Sequence, residues 1–124
     1  MNPITITTSD GRTEFAPGER LDVVADWQLA RPARAVSVRL VWYTRGKGDT
    51  DVCVVDEQRF EDPQSFQRRE CTFELPEAPF SFSGKLVSLV WAIEVVVEPT
   101  DESARLDIVV APDGKEVDLR RPKA

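Results

Sequence analysis

The residues that could do chemistry in this chain are acidic, and the base that usually works beside them is missing. Of its 124 residues, 22 are aspartate or glutamate, and there is no histidine. That removes the commonest general base, the nucleophile triads built on it and most zinc sites. The carboxylates gather in loops: Asp49 with Asp51, Glu98 with Asp101 and Glu102, and Asp56, Glu57, Glu61 and Asp62 together. Oxygen ligands of this kind suit calcium, yet no group has the spacing of a known calcium loop, and charged loops are ordinarily solvated. Two carboxylates acting as acid and base would also need a defined cleft and separation. No catalytic residue, cofactor or metal ligand is assigned, and a non-enzyme is expected.

Two further kinds of side chain bear on function. Cys53 and Cys71 fall in the two arms of an expected hairpin, Val52 to Phe60 and Gln67 to Leu75. A turn centred on Asp62 sets them directly opposite, close enough for a disulfide; a turn centred on Pro63 sets Phe60 against Phe66 and leaves the cysteines diagonal, about 7–8 Å apart. Without a recognisable secretory signal in Met1–Asn2–Pro3–Ile4, a reducing compartment and free thiols are the expectation. The three tryptophans could form a stacking platform for a carbohydrate. However, Trp27 and Trp42 share alternation faces with Leu21, Val23, Val38 and Leu40, which assigns them to the core.

The elements that must position these residues are strands. At 124 residues, 41% hydrophobic and 31% charged, the chain fits one globular domain, expected over residues 1–119 with 120–124 as a frayed tail. A net charge of −6 argues against nucleic acid or an anionic membrane as partner. No segment reads as a membrane span, so a cytoplasmic location is expected. Ile4 and Ile6 alternate with threonines, and Ser9–Asp10–Gly11–Arg12 predicts a hairpin returning through Thr13 to Phe15. Ala16–Pro17–Gly18–Glu19 predicts a type II turn. Arg20 to Leu29 has Leu21, Val23, Ala25, Trp27 and Leu29 on one face. Arg34 to Thr44 alternates with Val36, Val38, Leu40 and Trp42 inward, though Val41 interrupts the outward face.

Leu75 to Gly84 holds two prolines and two aromatics, and Lys85 to Glu98 then runs almost wholly apolar, which predicts a central strand buried on both faces. The prolines bar regular pairing ahead of it, so the chain must cross between sheets there. Ala104 to Val110 alternates, and Ala111–Pro112–Asp113–Gly114 predicts a last hairpin toward Glu116 to Leu119. With no helical spacing anywhere, the fold class is an all-β, antiparallel sandwich of about 7–9 strands.

The order of these pieces resembles the arrestin-like superfamily of immunoglobulin-like sandwiches. Its "PGE" turn is matched by Pro17, Gly18 and Glu19. Its "LP…P.SF.G" stretch is matched by Leu75, Pro76, Pro79, Phe82 and Gly84, and Trp91 stands where an aromatic is usual in the strand that follows. The resemblance implies a single-domain, bacterial-type member acting as a non-catalytic adaptor or scaffold for other proteins. Two such domains, a Pro-Pro-x-Tyr tail and a paired-lysine phosphate sensor are features of that superfamily absent from this sequence, so receptor binding and phosphate sensing are not carried over. Val24, Val41 and Val109 break otherwise polar outward faces, and with Tyr43 and with Val90 of the two-sided apolar run they form the candidate interaction surface, for a partner protein or for a homodimer through a strand edge. The alternative is a sandwich that binds carbohydrate or calcium.

Overall fold

The computed structural model describes residues 3–46, 51–84, 87–100, 102–112 and 117–118. Every regular element is a strand: β1 (Ile4–Thr8), β2 (Glu14–Phe15), β3 (Arg20–Gln28), β4 (Ala35–Gly46), β5 (Val52–Glu61), β6 (Phe66–Glu74), β7 (Phe82–Ser83), β8 (Val87–Glu98), β9 (Ser103–Val110) and β10 (Val117–Asp118). Seven have five residues or more and three are two-residue segments, so the expected β-sandwich is the observed one. The smaller sheet runs β1-β3-β6 and the larger β10-β7-β8-β4-β5, with β9 also on β8 and β2 on β9. No helix among the described residues is long and apolar enough to cross a membrane.

The alternation in β3 puts Leu21, Val23, Ala25 and Trp27 against Val36, Val38 and Leu40 of β4 and Trp91, Ile93, Val95 and Val97 of β8, in one core. β8 is the central strand that its composition demands. It pairs along its length with β4, and on its other side with β7 and then β9. Its outward Val90 and Ala92 are buried too, which explains why apolar residues occupy both faces. Lys85 and Leu86, at the start of the predicted run, lie outside the described residues.

Three expected hairpins are corrected. The Asp10–Gly11 turn does form, with the Gly11 amide donating to Thr8 O at 3.1 Å, but β1 pairs antiparallel with β3 and β2 pairs parallel with β9. The turn redirects the chain to the other sheet. β5 and β6 do not pair with each other either: β5 pairs with β4 and β6 with β3. The connection between them bonds to the β3–β4 connection instead, through Asp62 N to Arg34 O at 2.9 Å and Leu29 N to Ser65 O at 2.7 Å. Backbone groups satisfied by a neighbouring loop cannot close a hairpin. Finally, β10 pairs parallel with β7, not with β9, while residues 113–116 and 119–124, which include the second half of the predicted turn and the whole predicted tail, lie outside the described residues.

With the β5–β6 hairpin gone, neither cysteine register applies. Cys53 and Cys71 are both free, the first half-buried on β5 and the second buried on β6. Burial pushes the Cys71 thiol up to about 11, against a small opposing pull from Arg69. The folded chain therefore holds that proton tightly. The associated stability is complete below the thiol's ordinary value of 9.0 and is lost as pH rises through about 11. At pH 8 a thiol reagent such as Ellman's should titrate Cys53 in the native protein and Cys71 only on unfolding; no reactive thiol after denaturation without reductant would establish a disulfide instead.

The turn and the proline stretch singled out in the sequence meet in space. Gly18 adopts φ +81°, the left-handed value that the third residue of a type II turn requires, and Glu19 N donates to Ala16 O at 3.2 Å. Gly18 N then donates to Leu75 O and Leu75 N to Glu19 O, both at 2.9 Å. Leu75 is buried, Pro76 half-buried, and Pro79 O accepts the Trp91 indole N–H at 2.9 Å. Phe82 faces Leu89 across β7 and β8 and packs on the core. A Cβ on Gly84 would meet Val87 O at 2.5 Å, so close chain approach explains the glycine. Leu75 to Gly84 carry the chain from β6 of the small sheet to β7 of the large one, while the turn at Gly18 carries it from β2 to β3.

Candidate functional site

Four of the five residues chosen from sequence share one surface, the outer face of the large sheet. Tyr43 lies opposite Val90, and Val41 opposite Ala92; the four form an apolar cluster separate from the main core. Val109 is half-buried on the same side and borders a cleft of about 190 Å³ with Val90, Asp107 and Ser81. Val24 is elsewhere, 5% exposed on the small sheet between Thr7 and Glu70. The cluster is largely roofed. The Arg105 guanidinium sits 4.5 Å from the centre of the Tyr43 ring, and Tyr43 Oη donates to Asp107 Oδ1 at 3.1 Å. Val41 and Ala92 are 0% exposed as a result.

What remains open is the margin of the cluster on β5. Val54 pairs with Val41 and Val52 with Tyr43, extending the apolar rows to the sheet edge, where Val52 is 55%, Val54 47% and Val55 38% exposed. Val55 is the extra residue of a bulge, since Leu40 pairs with Asp56 and Val41 with Val54. Among the described residues β5 pairs with no strand but β4, so its outer edge presents unpaired backbone donors and acceptors. Toward β6 side chains of β5 and β6 bridge the gap between sheets: Gln58 Nε2 donates to Thr72 O at 3.0 Å, and Arg69 stacks 4.8 Å from the centre of the Phe60 ring.

The other half of the same face is charged and internally neutralised. Arg39 pairs with Glu57 at 2.6 Å and Arg105 with Glu94 at 3.0 Å. Arg59 bridges Glu61 at 2.6 Å and Glu98 at 2.8 Å, and it holds the Glu98 carboxyl below the usual carboxylate range. Exposed pairs of this kind contribute little to stability; what they do here is leave few unpaired charges on that half.

The sequence-based reading missed Val52, Val54 and Val55 because it placed them in a hairpin. A signal was present. Two adjacent valines break period-2 alternation, and that is how an edge bulge shows itself in a sequence. Of the tryptophans, Trp27 and Trp91 are 2% and 0% exposed, and Trp42 is half-buried and packs against the core. Among the described residues no three acidic or thiol groups converge as metal ligands.

The geometry therefore defines a class first: a two-sheet β-sandwich with an open apolar edge. No family model matches the chain, and no curated protein matches it in sequence. Among solved structures it is similar to the sporulation control protein Spo0M from Bacillus subtilis. The TM-score is 0.63 and the identity 16%, over 87% of this chain and 48% of that protein. The chain thus spans about half of that protein's length, and the likeness shows a shared fold. A β-glucosidase from Listeria innocua, in complex with gluconolactone, aligns at TM-score 0.45 and 17% identity, over 92% of this chain and 16% of the enzyme. That second likeness is too loose to bear on function.

Proposed function

We propose that this domain is a non-catalytic protein-interaction module of arrestin-like type, which docks an extended segment of a partner protein on the free edge of β5. The observation that carries the reading is the set Val52, Val54 and Val55, exposed on a strand that has no partner strand on its outer side among the described residues and continuous with the buried cluster of Val41, Tyr43, Val90 and Ala92. An added strand would gain main-chain hydrogen bonds from the edge and bury valine side chains. The likeness to a sporulation control protein agrees with a regulatory role.

Val54→Lys tests the site, since a lysine on an edge strand opposes strand addition. Thr7→Lys, an exposed position on the small sheet, serves as the control. Affinity capture from the native cell should return a partner with the wild type and with Thr7→Lys, and at least about tenfold less with Val54→Lys at unchanged melting temperature. An undiminished yield with Val54→Lys would place the interaction elsewhere.

A further inference from the structure

Resting on the reading of β5 as the docking edge, we infer that its occupant is an extended peptide segment in which two β-branched residues at alternate positions are bracketed by lysine or arginine. The pattern follows from what borders the valines. Asp51 immediately precedes the run and Asp56 follows it; both are exposed, and neither has an ion pair among the described residues. Asp56 lies beside Leu40 and Asp51 beside Thr44, on the face of β5 that carries Cys53, whereas the carboxylates on the valine face, Glu57, Glu61, Glu94 and Glu98, are already matched to Arg39, Arg59 and Arg105. Asp51 and Asp56 are therefore the charges an incoming strand would meet. Side chains opposite one another on antiparallel strands lie about 4.5–5.5 Å apart at Cβ, close enough for a cation to answer each aspartate.

The spacing is set by the strand already in place. β4 spans the stretch from Asp56 to Asp51 in five residues, Leu40 to Thr44, because the bulge at Val55 takes no separate partner. A strand on the far side that follows the same bulge reads basic, apolar, any, apolar, basic. The apolar residues fall beside Val54 and Val52, on the face shared with Val41 and Tyr43. A second copy of this chain fits less well. Antiparallel pairing of two β5 strands about Cys53 would set each Asp51 against a Val55 and bring four carboxylates to one seam, in a protein that carries a net charge of −6.

The experiment titrates the full chain into two fluorescein-labelled peptides, one with the core Lys-Val-Thr-Val-Lys and one with Glu-Val-Thr-Val-Glu, and reads anisotropy. The basic peptide should bind at least about tenfold more tightly at low salt, with the difference narrowing as salt screens the charges. The double variant Asp51→Asn/Asp56→Asn should erase the difference, and Val54→Lys should abolish binding. Equal affinity for both peptides, with both lost in Val54→Lys, would overturn the basic occupant while leaving the edge as the docking site. Binding undiminished by Val54→Lys would overturn the edge itself. No binding of either peptide would also overturn the basic occupant, and a dimer seen by sedimentation and lost in Val54→Lys would assign the edge to a second copy.

Discussion

Trp91→Ala should lower the unfolding free energy by about 3–5 kcal/mol in urea denaturation, the range for truncating a large aromatic in a packed core. Trp91 is 0% exposed at the middle of β8, directly across from Trp42 on β4 and Ile108 on β9. It is thus flanked on both sides by the central ladder, and a cavity there has no mobile loop to collapse into it. The substitution also strips Pro79 O of the indole N–H it accepts at 2.9 Å. Domains of this size are stable by about 5–15 kcal/mol, so the loss would be about a fifth of the total or more. Trp91→Phe should recover most of the packing and isolate the hydrogen bond, at about 1 kcal/mol. Wild-type denaturation of the alanine variant would mean that the proline stretch and β8 are not packed together.

Which face of each strand is buried was legible in the sequence; which strand lies beside which was not. Leu21, Val23, Ala25 and Trp27 announce their burial by period, because alternation is a property of a single strand. Pairing is a property of two strands and of the backbone that joins them. Thr5 and Thr7 alternate with isoleucines whether β1 lies beside β2 or β3, and the alternation alone does not choose the β3 register, Ile4 beside Trp27 and Ile6 beside Ala25, that the fold adopts. The β5–β6 connection shows the same limit. Its Asp62–Pro63 turn is equally consistent with a hairpin and with a step between sheets, until the backbone of the β3–β4 connection claims Asp62 N and Ser65 O.

The interaction surface was partly legible, for a related reason. Val41, Tyr43, Val90 and Val109 stood out as apolar residues on faces expected to be polar, and the structure gathers them on one face. Their exposure could not be read, because it depends on Arg105 reaching over Tyr43 from β9 and on Asp107 accepting its hydroxyl. The residues left open are the ones whose strand has no second neighbour among the described residues. Being an edge is a fact about topology, so Val52 and Val54 acquire their significance only once β5 and β6 are known to part.

Ser81→Ala should cost about 1–3 kcal/mol, a large effect for the loss of one oxygen atom, because it orphans a buried donor. Ser81 is 2% exposed between the proline stretch and β7, and its backbone N–H donates to Val110 O at 2.7 Å while its Oγ accepts the Val110 N–H at 3.0 Å. The side chain thereby takes the place of a missing strand at the end of β9, where β8 no longer pairs and β2 reaches only Val109 and Val110. Alanine keeps the first bond and leaves the Val110 amide dry and unpaired. Urea denaturation should report the lost stability, and hydrogen exchange should show the Val110 amide opening faster while amides at the centre of β3 keep the protection set by global unfolding. The consequence reaches the outer face, since Val109 precedes the freed amide and borders the cleft shared with Val90. An unchanged Val110 exchange rate in Ser81→Ala would show that β9 is held by its ladder alone and that the serine is incidental.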